Sequence, residues 1–381
     1  MVQARKRAYR FRCYPTPAQA ENLSRTFGCA RLVYNKALDA RTKAWFRRRE
    51  RINYNQTSAL LTKWKRRNDL AFLNEVSSVP LQQALRHLQS AYANFWEGRA
   101  AFPCFRKKRL AGSAEYTRSG FTWRSGQLRL AKHAEPLRIR WSRQLPVGAE
   151  PTTVTALRDS AGRWFVSILV EEDIPALPKR DEAIGIDVGL SSLLTLSTGE
   201  KITNPRHERR DREKVRKRQR ELARKQKGGK NHLKAKLKLA RAHAKIADRR
   251  LDAMHKLTTR LVRENQTICV EDLNVRGMLS DHALSRAITD ASWATFRRLL
   301  EYKAEWYGRE LIAIDRFHPS SKVCSVCGAT RVDMPLGERV FRCPDKACGH
   351  VEDRDVNAAK NVLAAGLAVT ACGDGVRPKR S

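Results

Sequence analysis

The stretch AIGIDVGLSSLLTLSTGEKIT, residues 183–203, reads as three strands in quick succession. A buried apolar run meets a tight glycine turn, a second apolar run follows, and Gly199 separates it from a third. Strands joined so closely form an antiparallel meander. One residue is out of place. Asp187 lies inside the first apolar run, where a carboxylate is costly unless it is paired or holds a metal.

Two later stretches carry acids in comparable settings. TICVEDLNV, residues 267–275, is a buried strand with Glu271 at its end. CGHVEDRDVNAAKN, residues 348–361, runs from a cysteine through a set of carboxylates into a helix, with Asp355 at the change. Each acid has an ordinary reading: Asp187 as a strand-end turn former, Glu271 as an arginine's partner, Asp355 as a helix N-cap. Their order says more. An acid in the first strand of a meander, one ending a later strand and one opening a late helix is the RNase H-like plan. There the carboxylates converge on one sheet edge and hold two Mg²⁺ ions about 3.5–4 Å apart for phosphodiester hydrolysis. Carboxylate and water are the ligands Mg²⁺ prefers.

The cysteine that opens CGHVEDRD belongs to a cluster: Cys324-x2-Cys327, a short loop, then Cys343-x4-Cys348. Four thiolates in two close pairs suit one tetrahedral zinc, and with all four positions filled the ion is structural. His350 is an alternative to Cys348 as ligand, and iron–sulfur ligation an alternative to zinc. Cys13, Cys29, Cys104, Cys269 and Cys372 are scattered and read as packing residues. The odd cysteine count, the CxxC motif and a basic N-terminus with no apolar core point to a reducing compartment, the cytoplasm, with nucleoid association when on DNA.

Charge narrows the partners. Across 381 residues, 76 Lys and Arg face 39 Asp and Glu, a net of +37. Such self-repulsion needs a polyanion, and nucleic acid is the first candidate, an anionic membrane surface the second. No apolar run is long enough to span a membrane. The charge is densest at residues 206–250, with 20 basic residues against 5 acids. Val215 and Leu222 lie before a KGGKN turn; Leu233, Leu237, Ala240, Ala244, Ala247, Leu251, Met254 and Leu261 follow in steps of mostly four and three. This predicts an antiparallel helical hairpin over 206–264 with an apolar seam, set along phosphates through residues such as Arg216, Lys217, Arg220 and Arg224. A solvated helical face is the plainer reading.

Upstream, AYRFRC (8–13) alternates as a strand with one cationic face. Thr16 and Pro17 fit the cap and first position of a helix. Leu23, Phe27, Ala30, Tyr34 and Leu38, then Leu81, Leu85, Leu88, Tyr92 and Phe95, are core stripes of helices. From FPCFRKKR (102–109) to about 178, short alternations punctuated by Gly and Pro predict a small β-domain, read as a barrel with a basic face.

With RFRCYPTPAQAENLSRTFGCARLVYNKAL, FPCFRKKR, GIDVGL, VEDL, PSSKVCSVCG and CGHVEDRDVNAAKN, the sequence resembles the TnpB family over nearly its whole length. These are transposon-encoded RNA-guided DNA nucleases related to type V CRISPR effectors. The resemblance implies an α+β multidomain chain: a first wedge strand (1–12), a helical recognition domain (13–101), a β-barrel wedge domain (102–178) and a RuvC-like nuclease domain (179–381) with an inserted zinc ribbon (320–352). It places the catalytic acids at Asp187, Glu271 and Asp355, the last in preference to Asp353. It implies a guide RNA, a target double-stranded DNA and a short target-adjacent motif contacted by Tyr54 and Gln82, although Gln82 reads equally as an exposed helix residue. The rival functions are a catalytically silent RNA-guided repressor and a transposition accessory protein that uses no guide. The x4 spacing of the second cysteine pair departs from the common x2 and bears on loop shape only.

Overall fold

Thr16 sets the first corner of the chain. Its hydroxyl accepts from the Gln19 amide while the Gln19 side chain accepts from the Thr16 amide, and Pro17 occupies the first turn. The computed structural model describes residues 3–335 and 337–371, so Cys372 and the far ends of the two terminal segments lie outside the described residues. Two compact units result, residues 4–173 and those from Ile174 onward.

In the first unit, β1 (Gln3–Cys13) leads into α1 (Pro17–Arg48), α2 (Tyr54–Lys65) and α3 (Ser78–Trp96). β2 (Gly112–Thr117), β3 (Phe121–Arg124), β4 (Gln127–Leu130), β5 (Ile139–Arg140), β6 (Pro151–Arg158) and β7 (Trp164–Ile174) follow. The helical stripes are buried as expected, except that Phe27 is only partly buried and Phe95 at the end of the α3 stripe is exposed. On β1, Tyr9, Phe11 and Cys13 enter the core, while Arg10 and Arg12 stack over the Phe165 ring at 4.0 and 5.0 Å. The expected barrel is not closed. Among the described residues, five strands join in the order β2-β6-β7-β1-β5, and β3 pairs only with β4 as a separate ribbon. Alternation along each strand is a local property. It cannot say whether the last strand reaches the first, and β5, two residues long, offers little edge to close on.

The second unit begins with β8 (Ala183–Val188), β9 (Ser192–Leu196) and β10 (Lys201–Thr203), the meander read from the sequence. α4 (His207–Ala223) and α5 (Lys230–Glu264) form the hairpin. β11 (Thr267–Glu271), α6 (Val275–Met278), α7 (Ser285–Ala291), α8 (Trp293–Tyr307) and β12 (Glu310–Ile314) come next. β13 (Val340–Arg342), β14 (Val351–Asp353) and α9 (Arg354–Ala371) end the described chain. The sheet order is β10-β9-β8-β11-β12, antiparallel through the meander and parallel from β8 to β12.

The α5 seam differs from the expected one. Ala235, Ile246, Met254, Leu261 and Val262 are buried, whereas Leu233 and Leu251 are exposed. One heptad line cannot serve two partners. α5 pairs with α4 through the Arg249–Asp211 ion pair near its middle, then turns another face to α8. There the buried Lys303 ammonium donates to the His255 carbonyl at 2.8 Å and to the hydroxyls of Thr258 and Thr259 at 2.7 and 2.8 Å.

Candidate active site and metal centre

The parallel pairing of β8 with β11 sets two of the acids. Ile186 registers with Val270, so Asp187 and Glu271 follow as neighbours at the same end of adjacent strands. α9 brings the third, and glycine makes this possible. A Cβ on Gly185 of β8 would lie 2.1 Å from the Ala359 carbonyl oxygen and 2.6 Å from the Leu363 amide. The helix backbone therefore lies directly on the strand that carries Asp187. Further along, Gly366 does the same against β11, where a Cβ would meet Cys269 Sγ at 2.3 Å.

Electrostatics link the three acids. Burial, then the carboxylates of Glu271 and Asp355, hold Asp187 well above the usual carboxylate range, with Arg354 opposing. The charges of Glu271 and Asp355 thus act on Asp187, and carboxylates are the donors that a divalent cation such as Mg²⁺ prefers. Asp353 has another task. Its carboxylate accepts from the amides of Asp355 and Val356 at 3.1 and 3.2 Å, and it pairs with Lys201 at 2.7 Å. Burial would raise its pKa, yet Lys201 and these amides outweigh that and lower it. Asp353 is thus the residue that caps α9. The N-cap reading does not apply to Asp355, whose half-buried carboxylate meets Arg354 at 3.4 Å.

The four cysteines come together as the spacing predicts. Their sulfurs all lie within 4.8 Å of one another, with Cys324–Cys348 at 3.9 Å and Cys327–Cys343 at 3.5 Å. Four sulfurs at about 2.3 Å from one ion in a tetrahedron stand roughly 3.8 Å apart, so the cluster is compatible with a structural zinc. Gly328, at φ 77°, makes the knuckle turn. His350 is outside the set and meets Glu352 at 3.3 Å. Cys324 is brought down to about 7: burial raises it, but the Cys327 and Val326 amides and the neighbouring thiols prevail. Burial and adjacent thiols push Cys343 up to about 12.

The residues that join the two centres were in the quoted motifs but had no assigned role. Asn357, fully buried, accepts from the Ser325 amide at 2.9 Å and donates to the Val323 carbonyl at 2.7 Å. Asn361, one turn on, donates to the carbonyls of Ser320 and Val323 at 2.7 and 2.6 Å. The Ser320 hydroxyl donates to Glu271 at 2.7 Å. Two asparagines spaced i, i+4 in a helix entrance, facing a cysteine knuckle, are the signal that could have found this clamp.

The other predicted contacts divide. The Tyr54 hydroxyl donates to Gln82 Oε1 at 3.1 Å, so these two are adjacent. On α4 and at its C-cap, Arg216 pairs with Glu213, while Lys217, Arg220 and the cap residue Arg224 make no ion pair among the described residues.

Three family models match: "Probable transposase" over residues 166–281, "Cas12f1-like, TNB domain" over 293–362 and "Helix-turn-helix domain" over 1–50. In the last span the structure has one strand and a single long helix. A Streptomyces pristinaespiralis protein named "Putative RNA-guided DNA endonuclease" is 61% identical over all of this chain and 94% of its own length. An Escherichia coli protein, "Putative RNA-guided DNA endonuclease InsQ", is 33% identical over 99% of this chain and 96% of its own. The fold is similar to a chain in a Cas12f1–sgRNA–target DNA complex, at TM-score 0.57 and 12% identity, covering 94% of this chain and 99% of that one.

Proposed function

The chain belongs to the TnpB family, and from that premise we propose that it is a transposon-encoded, RNA-guided DNA endonuclease of the RuvC type. The observation that carries the reading is geometric: the β8–β11 register sets Asp187 beside Glu271, and α9, which carries Asp355 in its first turn, lies directly on Gly185 of β8. A sheet of order β10-β9-β8-β11-β12 with a helix laid over β8 supports the RNase H-like plan. Asp187, Glu271 and Asp355 would hold Mg²⁺. Bound there, Mg²⁺ supplies activation of water and stabilisation of the attacking and leaving oxygens in phosphodiester hydrolysis. Ser320 orients Glu271 through its hydroxyl, and Asp353 fixes the first turn of α9, so that Asp355 is presented without serving as a cap.

The partners in this reading are a guide RNA and a target DNA duplex. Guide–target pairing supplies most of the sequence specificity, and the protein holds the heteroduplex by its backbone. Tyr54 and Gln82, hydrogen-bonded to each other, contact the target-adjacent motif. Lys217, Arg220 and Arg224, with Arg216, lie along phosphates. Four cysteines around zinc secure the ribbon, and the site of action is the cytoplasm, on DNA. Among the described residues no helix is long and apolar enough to cross a membrane.

The test is cleavage of a target duplex by the protein with its co-purified RNA, after sequencing that RNA. Asp187→Ala, Glu271→Ala and Asp355→Ala each lose cutting by at least about a hundredfold and keep RNA and target binding, because the lost role is holding metal. Asp353→Ala keeps measurable cutting but melts lower. Full cutting by Asp355→Ala refutes its assignment; an uncut target with the wild-type protein, guide and Mg²⁺ favours the silent repressor.

A further inference from the structure

The sequence WFRRRERI, residues 45–52, closes α1 with two aromatic residues and a run of arginines. Neither ring is in the core: Trp45 is 38% and Phe46 69% exposed, and Trp96 at the end of α3 is likewise 54% exposed. Solvent-facing aromatic rings gathered in one place need a reason. They line a cleft of about 290 Å³ with Arg41, Trp45, Tyr92 and Phe102.

The cleft is built from flat faces and cations. Tyr92 and Trp96 stand 5.4 Å apart at 35°, and Phe102 meets Tyr92 edge-on at 5.6 Å. The Arg41 guanidinium lies 4.0 Å over the Tyr92 ring, held by Gln89 at 2.9 Å. Arg49 and Arg51 stand 5.7 and 5.6 Å from the Trp45 ring centre. The nearby acids are engaged, Glu50 with Arg48 and Glu97 with Arg99. The rim is therefore cationic.

A second copy of the chain suits this surface poorly, because a two-fold contact would set arginine rim against arginine rim. An unpaired base suits it well. Its π-face stacks on exposed rings whatever its identity, and the phosphates on either side meet the arginines. We infer that the cleft between the end of α1 and α3 binds an unpaired nucleobase of single-stranded RNA or DNA. This goes beyond the nuclease reading, and because binding is measured without cutting, it stands or falls separately from it.

The test uses the full-length chain freed of co-purified nucleic acid. The probes are oligoadenylates, one ribose and one deoxyribose, each with a central 2-aminopurine, and matched strands abasic at the centre. With the wild type, 2-aminopurine fluorescence is quenched on binding. The Phe46→Ala/Trp96→Ala protein melts close to the wild type, since both rings are exposed. It loses the quench and binds the base-containing strand about tenfold more weakly, with abasic-strand affinity unchanged. Arg49→Gln/Arg51→Gln weakens both strands alike. The ribose and deoxyribose arms identify which strand the cleft takes. Equal affinities of the aromatic double variant and the wild type for the base-containing strands overturn the inference. So does a concentration-dependent doubling of wild-type mass that Phe46→Ala abolishes, which makes the cleft a self-association face.

Discussion

Gly185→Ala adds one methyl group at the contact on which the position of Asp355 depends. The new carbon would lie 2.1 Å from the Ala359 carbonyl oxygen, against 3.4 Å where ordinary contact begins. The deficit is about 1.3 Å, the difference of those two distances, and the atoms it meets are backbone as well as the Leu363 side chain. No rotamer change relieves a carbonyl oxygen, so α9 must lift or slide, and Asp355 at its first turn moves relative to Asp187. Overpacking of this kind costs roughly 1–3 kcal/mol of stability. The larger effect is on chemistry, because a misplacement of about 1 Å lowers rates on the order of a hundredfold. The assay is single-turnover cleavage of a guide-matched duplex, with target binding and thermal melting measured on the same preparation. Binding holds, melting falls by a few degrees, and the rate drops by about two orders of magnitude. Gly366→Ala is the internal control. Its added carbon meets mainly the Cys269 side chain, at the far end of α9, so stability falls more than rate and Cys269→Ala restores part of it. Wild-type cutting by a folded Gly185→Ala protein would refute the reasoning, since α9 would then not depend on β8 to place its acid.

Three further outcomes follow from the same structure. Cys324→Ser or Cys343→Ser lowers zinc from one ion per chain and destabilises the second unit, because a four-thiolate site contributes folding free energy; elemental analysis that finds no zinc in the folded wild type sinks this. Reversing Arg216, Lys217, Arg220 and Arg224 to Glu flattens the slope of log K against log salt by about 3, near four times 0.7–0.9, for any guide sequence, and an unchanged slope with both RNA and DNA means the hairpin is a solvated arm. Burial lowers Lys303 from its usual 10.5 to about 8, so the unfolded chain binds the extra proton in that window and wild-type stability rises from about pH 8 to 10.5; Lys303→Met lacks this component of the rise, and parallel urea-unfolding curves for the two proteins across that range disprove it.

Much of the second unit was legible because its signals are local. The meander announced itself through runs and glycines, and the cysteine cluster through spacing alone. The three acids are grouped in the sequence only by their order, since each has a common alternative role. Asp353 shows the limit: two aspartates two residues apart at a helix start are chemically equivalent in sequence, and only the direction of the Asp353 carboxylate, back onto the amides of Asp355 and Val356, assigns the cap. The barrel and the α5 seam failed for a related reason. Closure of a sheet and the choice between two helical partners are decided by contacts far apart in the chain, which alternation and heptad steps do not encode. Phe95 and the WFRRRERI rings failed differently, since periodicity marks a face as apolar without saying what covers it.

The adjacency of a cysteine cluster and an acidic helix start now has a physical cause. The knuckle at Val323 and Ser325 is held by Asn357, and its approach at Ser320 by Asn361, both on the helix that begins beside Asp355. Ser320 in turn holds Glu271. One short segment therefore ties a β11 acid to the α9 helix, and the cysteines fix the segment's far side. Buried amides that donate to main-chain carbonyls are costly to strip of their partners, so the clamp is stiff as well as specific. Loosening the ribbon would act on both ends of the acid set at once, through Asn361 to α9 and through Ser320 to Glu271. Loss of the cysteine cluster is thus expected to reach the acids through these hydrogen bonds even though no cysteine touches a carboxylate.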